Sequence, residues 1–182
     1  MGYHRAGFEV VGVDINPQPH YPFEFHQGDA MTWPLDGFDA IHASPPCQAW
    51  SRATAWGRDD RHKHEKLIAP VRELLTNQAA VWVIENVPDA RREMFHPVLL
   101  CGTFFGLPVI RHRYFESSVL LQPMWASCDH RGVLVFEHKQ ERAYGDAMGC
   151  DWMNRDGHRQ AIPPAYTEWI GAQLMAVIQG PA

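Results

Sequence analysis

Three apolar stretches, each running into a polar or acidic residue, organise the first half of the chain. Residues 10–13 (Val-Val-Gly-Val) lead to Asp14, a stretch near 38–42 leads to a corner at Pro45-Pro46, and a stretch near 81–84 leads to Glu85 and Asn86. Short apolar runs bounded by turn residues predict strands. Gly7, just ahead of the first run, reads as the end of a helix. Between the second and third runs, Leu67, Ile68, Val71, Leu74 and Leu75 recur at helical spacing and predict one helix over residues 61–78. Strand, helix, strand is the pattern of a parallel sheet covered by helices, so the fold class expected is α/β. With no internal repeat or low-complexity linker, a single domain over residues 1–182 is expected.

Such sheets bind ligands beyond the carboxyl ends of their strands, where loops converge on a crevice. Asp14, the Pro45-Pro46-Cys47 corner and Glu85-Asn86 each follow an apolar run directly, and Asp29 in Gln27-Gly28-Asp29-Ala30 supplies a fourth candidate loop. An acid after a strand is also a common turn former or helix cap. It is their joint occurrence that points to a shared cleft.

Composition narrows the setting. A hydrophobic fraction of 46% in 182 residues is enough for a real core. The apolar runs are too short to cross a bilayer and no signal segment opens the chain, so a cytoplasmic protein with no membrane partner is expected. The formal charge of -5 argues against indiscriminate polyanion binding while leaving room for a local basic face, for which residues 52–66 are the candidate. Four cysteines, Cys47, Cys101, Cys128 and Cys150, show no CxxC spacing, so reduced thiols are expected. Cys128-x-His130 together with Cys150 and His158 matches no zinc signature, and no metal is expected.

Cys47 is the most pointed of these residues. Pro45-Pro46 stiffens its approach, and Gln48 to Ser51 can begin a helical turn behind it, a setting that holds a thiol outward and raises its thiolate fraction. A phosphatase loop fits poorly, because Arg52 follows Cys47 after four residues where that signature needs five.

Ser44-Pro45-Pro46-Cys47-Gln48, followed downstream by Ile84-Glu85-Asn86-Val87, closely resembles the catalytic motifs of the cytosine C5 DNA methyltransferases. Other segments resemble the family's motifs in the same order. The segment around Asp14 is similar to the one whose acid holds the ribose of S-adenosylmethionine, with Ile15 beside the adenine. Asp29 and Ala30 match the loop that contacts the adenine amino group, and Pro45 borders the same pocket. Residues 109–117 resemble the QxRxR strand, matching at Arg111 and Arg113 but with Val109 for glutamine. Residues 147–153 and 161–171 resemble the last two motifs, without the usual Gly-Asn ahead of the second.

The resemblance implies a Rossmann-like, S-adenosylmethionine-dependent methyltransferase fold and a division of labour. Cytosine C5 is a poor nucleophile, so Cys47 would add to C6 and push electron density onto C5. Glu85, with a raised pKa, would donate toward N3, Arg113 helped by Arg111 would hold the O2 side, and Asn86 would fix the cysteine corner. The DNA base must first leave the duplex stack. A strand and a Gly-rich FxGxGG loop normally precede the Asp14 segment in this family. The chain opens without them, so the first strand is expected to be missing and to lie upstream or to come from a partner. Residues 117–141 are expected to form a minimal insert where a target-recognition domain normally sits, with recognition loose or supplied by a partner and a phage or restriction-modification setting implied. Trp125, Arg131, His138, Lys139 and Arg142 are its candidates for touching DNA. Two alternatives stay open: a catalytically silent DNA-binding or decoy protein, and the same chemistry on RNA or a free cytosine nucleotide.

Overall fold

The computed structural model describes residues 1–51, 60–79, 81–131, 134 and 140–180. Two compact units emerge: the first comprises Met1–Trp33, Leu100–Arg111 and Met124–Ala182, the second Pro34–Leu99 and His112–Pro123. Arg52 and Arg58, His138 and Lys139 lie outside the described residues. No helix among the described residues is long and apolar enough to cross a membrane.

The first unit opens with a short helix α1 (Gly2–Arg5), which ends as the sequence suggests, with Gly7 at φ 99°. Strands β1 (Val11–Asp14) and β2 (Glu24–Gln27) pair in parallel, with Asp14 in register with Gln27. Helices α3 (Glu141–Met148), α4 (Arg155–Gln160) and α5 (Pro164–Gln179) complete it. Helix α1 lies directly against α5: a Cβ built on Gly2 would stand 2.0 Å from the Pro164 carbonyl oxygen. Glycine is required there because any side chain would force the two helices apart. A cluster of Val109, Tyr144, Met148 and Cys150 forms the core beside α3 and α4.

The second unit holds β3 (Ile41–Ala43), α2 (Ile68–Gln78), β4 (Trp82–Asn86), β6 (Arg113–Ser117) and all but the last residue of β5 (Val98–Leu100). Strand order is β3-β4-β6-β5. Every residue of β4 is buried, as befits a central strand, and α2 packs on it through Ile68, Val71 and Leu75. Each of those three side chains contributes about 1.5–3 kcal/mol by leaving water.

The helix expected over residues 61–78 is shorter. Only Ile68–Gln78 is α-helical, while Arg61–Lys63 forms a separate 3-10 turn and His64 is extended. Pro70 explains the break, since its ring has no N–H to give the Lys66 carbonyl and would clash with it if the helix continued upstream. Strand β4 also runs longer than expected, taking Glu85 and Asn86 into the sheet.

The α/β class holds, but the four-stranded sheet is mixed: β3 and β4 are parallel, β4 and β6 antiparallel. A parallel return needs a long crossover, usually a helix. Helix α2 supplies one between β3 and β4, whereas between β4 and β6 the chain forms only 3-10 turns and β5.

A buried ion pair braces this unit. The Arg72 guanidinium is held bidentately by Glu116: Nε meets Oε1, and Nη2 donates to Oε2 at 2.8 Å and to the Glu93 carbonyl at 2.6 Å. The Phe95 N–H donates to the same carboxylate at 2.9 Å, and the Arg72 guanidinium lies 4.1 Å from the centroid of the Phe95 ring. On β3, burial pushes the His42 imidazole down to about 4. The unfolded chain therefore binds more protons than the folded one between roughly pH 6.5 and pH 4, so stability is complete above that window and lost as pH falls through it. Relative to pH 7.5, the cost at pH 5 is expected to be on the order of 2 kcal/mol. Urea midpoints at the two pH values, compared with those of His42→Gln, check this: the variant should lose less.

Candidate active site

Strands β3 and β4 run in the same direction, with Ala43 opposite Ile84. Their carboxyl ends, which lead to the Pro45-Pro46-Cys47 corner and to Glu85-Asn86, therefore lie along one edge of the sheet. Because β6 runs the other way and pairs Asn86 with Tyr114, its amino end, carrying Arg113, reaches that same edge. Segments far apart in sequence are brought together by register alone.

The side chains then interlock. Asn86, 1% exposed, donates from Nδ2 to the Pro45 carbonyl at 2.9 Å, and its Oδ1 accepts the Val87 N–H at 2.9 Å. An amide is suited to this place because it offers a donor to one backbone and an acceptor to another. Pro45 is buried, Pro46 exposed and Cys47 half-buried. Behind the cysteine the chain turns helically, with the Trp50 and Ser51 N–H groups both donating to the Cys47 carbonyl, at 3.0 and 2.9 Å. Buried Ala49 and Trp50 anchor the turn.

Glu85 faces Phe115 across the β4–β6 ladder, so Arg113, two residues before Phe115, projects from the same face diagonally. Its Nε stands 2.8 Å from Glu85 Oε1, with both side chains about nine-tenths buried, and its Nη1 donates to the His112 carbonyl at 2.8 Å. Arg111, expected to help Arg113, is engaged within the first unit. It donates to the carbonyls of Ala161 (Nε, 3.1 Å) and Arg159 (Nη2, 2.6 Å), while its own carbonyl accepts the Tyr166 hydroxyl. There the guanidinium ties down the end of α4, where the chain turns into α5.

The expected cofactor residues Asp14, Ile15, Asp29 and Ala30 belong to the first unit, and Pro45 to the second. Asp14 ends β1 and Asp29 follows β2, so parallel pairing sets both acids beyond the same end of the strand pair. Asp14 Oδ1 accepts the Asn16 N–H at 2.7 Å and Oδ2 the Gln18 amide at 3.3 Å, leaving lone pairs for a vicinal diol. Ile15 is 66% exposed, an apolar surface of the kind a base edge covers. Asp29 and Ala30 are also exposed, with Asp29 Oδ1 accepting the Met31 N–H at 2.9 Å. Two exposed carboxylates and an exposed apolar side chain thus lie beyond one end of the strand pair, a chemistry compatible with a nucleoside ligand.

Compared with protein families, residues 16–115 match the model of the C-5 cytosine-specific DNA methylases. The chain belongs to that family. The match covers more than half of this methylase and takes in the Cys47 corner, Glu85, Asn86, Arg111 and Arg113. It assigns cytosine methyltransferase activity and DNA as the class of substrate, in a family that generally depends on S-adenosylmethionine. No curated protein sequence matches the methylase closely enough to count.

One feature of this methylase has no signal in the sequence. It is the Arg72–Glu116 bridge, whose partners only the β6 register brings together. The described part of the expected basic face at residues 52–66 does line an open cavity of about 350 Å³, formed by Ala49, Arg61, His62 and Lys66 next to the turn that Cys47 begins. The run of cations from Arg61 to Lys66 gives this cavity its basic lining. Trp125, 97% exposed, and Arg131, paired with Asp129 at 2.8 Å, lie in the first unit at the surface. Cys150 and His158 do not join Cys128-x-His130: the His158 ring bonds the Cys150 carbonyl at 2.9 Å between α3 and α4.

Proposed function

We propose that this methylase transfers a methyl group from S-adenosylmethionine to C5 of cytosine in DNA through a covalent bond between Cys47 and C6. The observation that carries the reading is the convergence of the Cys47 corner, Glu85, Asn86 and Arg113 on one sheet edge inside the matched segment.

The Cys47 thiolate adds to C6 of a cytosine turned out of the duplex, forming the S–C6 bond while the C5–C6 π pair moves onto C5. Glu85 hydrogen-bonds at N3, where negative charge would otherwise collect. Arg113 holds the Glu85 carboxyl in its rotamer and faces the O2 side of the base. Asn86 keeps the Pro45 carbonyl, and with it the sulfur's line of approach, fixed. S-adenosylmethionine, which Asp14, Ile15, Asp29 and Ala30 would hold, would supply an electrophilic methyl when bound. Once C5 is substituted, its proton leaves to a base and the S–C6 bond breaks, returning the electron pair to sulfur. Arg111 acts at a distance, as the residue that positions the segment between α4 and α5.

The test is a labelled-donor assay on several cytosine-containing duplexes, followed by mass spectrometry of the digested product. Counts at 5-methylcytosine support the reading, and their absence with folded protein overturns it. DNA carrying 5-fluorocytosine cannot release its C5 substituent as a proton, so it should leave a denaturation-resistant adduct with the wild type and none with Cys47→Ser. An adduct that persists in the variant would remove Cys47 from its role.

A further inference from the structure

Cys101, Cys128 and His130 meet in the first unit, far along the chain from the thiol just discussed. The sulfur atoms of Cys101 and Cys128 and a ring nitrogen of His130 all lie within 4.8 Å of one another. The Cys101 sulfur is 3.5 Å from His130 Nε2 and 3.3 Å from the Thr103 hydroxyl. Cys101 is fully buried and follows β5, while Cys128 and His130 are exposed on a stretch that has neither helix nor strand.

We propose that these three side chains bind a zinc ion that fastens the 124–131 segment to the base of the first unit. The donor set chooses the metal. Two thiolates and an imidazole are soft or borderline ligands that suit zinc and disfavour magnesium or calcium, which take oxygen. Distances agree as well. With zinc–sulfur bonds near 2.3 Å and zinc–nitrogen bonds near 2.0 Å, tetrahedral ligands stand about 3.3–3.8 Å apart. Closing from the present separations takes shifts on the order of 1 Å, within reach of side-chain rotation on the exposed segment.

The need for such a tie is local. Residues 121–130 form no helix or strand, and just at their end Asp129 is hydrogen-bonded to Arg131. An irregular segment of this length has few backbone bonds to hold it, so a metal clip removes conformational freedom that packing does not. Cys128 and His130 bring their ligand atoms to one point, and the buried Cys101 supplies the fixed anchor. Three protein ligands leave the fourth tetrahedral position to water, and the metal's role in this reading is to hold the segment in place. It stands apart from the cytosine chemistry and does not depend on it.

Zinc titration of the reduced protein, followed by competition with a chromophoric chelator, tests the proposal directly. One zinc per chain is expected. Cobalt in its place should give the intense visible bands of a tetrahedral site and a thiolate-to-metal charge-transfer band. Cys128→Ser and His130→Asn sit at exposed positions and leave the core intact, so they keep the test meaningful even if Cys101→Ser fails to fold. Each should weaken zinc binding by about 100-fold or more, since even outer-shell partners are worth 10–100-fold. Zinc removal should speed tryptic cleavage at Arg131 in the wild type and leave the rate unchanged in the variants. Failure to bind one zinc per chain, affinity within threefold of wild type in both exposed-site variants, or a Cys101–Cys128 disulfide that survives reductant would each overturn it.

Discussion

Glu85→Gln is expected to lower turnover by about 10²–10⁴-fold, the range associated with losing a positioned proton donor. Binding to duplex DNA should be almost unchanged. Glutamine keeps the size of the side chain and a carbonyl oxygen for Arg113, so the sheet edge survives, but it cannot pass a proton toward N3. Steady-state methyl transfer and a DNA-binding titration on the same preparation separate the two effects. A parallel fall in both would make Glu85 a structural partner of Arg113 rather than a participant. The slow step should also move. With Cys47 intact, the 5-fluorocytosine adduct should still form with Glu85→Gln, only more slowly, whereas with Cys47→Ser it should not form at all.

Glu116→Ala is expected to destabilise the second unit by about 3–5 kcal/mol, because it leaves the Arg72 guanidinium enclosed without its anion. Glu116 is 2% exposed, so water cannot readily replace the lost carboxylate. The Phe95 N–H also loses its acceptor. Against a typical domain stability of about 5–15 kcal/mol the loss is large. Denaturant midpoints check it, and adding Arg72→Met should recover much of the deficit, since the pair costs most when only half of it is present. Equal midpoints for wild type and Glu116→Ala would mean that the bridge contributes little.

Those two outcomes concern residues of different legibility. Cys47, Glu85 and Asn86 were readable because each directly follows an apolar run, and in an α/β sheet the carboxyl ends of strands are where ligands gather. Placement of β1, β3 and β4 was readable for the same reason. What the pattern did not carry was anything set by pairing between distant segments. The antiparallel β6 has no sequence signature distinct from a parallel strand, so the mixed sheet and the Arg72–Glu116 bridge were invisible. Arg111 and Arg113 look alike in sequence, yet one caps carbonyls near α5 and the other meets Glu85. Helix α2 was overextended because apolar spacing was read through Pro70, whose missing N–H should have outweighed Leu67. Cys128-x-His130 was noticed, but its sulfur partner was sought downstream, whereas the fold brings Cys101 to it.

The site owes its existence to contacts of long sequence separation. Asn86 reaches back to Pro45, and Arg113 to Glu85, across strands that pair only after loops of tens of residues have closed. Closing such loops costs entropy before any contact repays it, which slows folding and makes late steps cooperative. The catalytic edge is therefore expected to form only together with the β4–β6 pairing. Heating should then abolish methyl transfer and the β4–β6 pairing in a single transition, and a fragment ending before β6 should be inert however well its earlier strands fold.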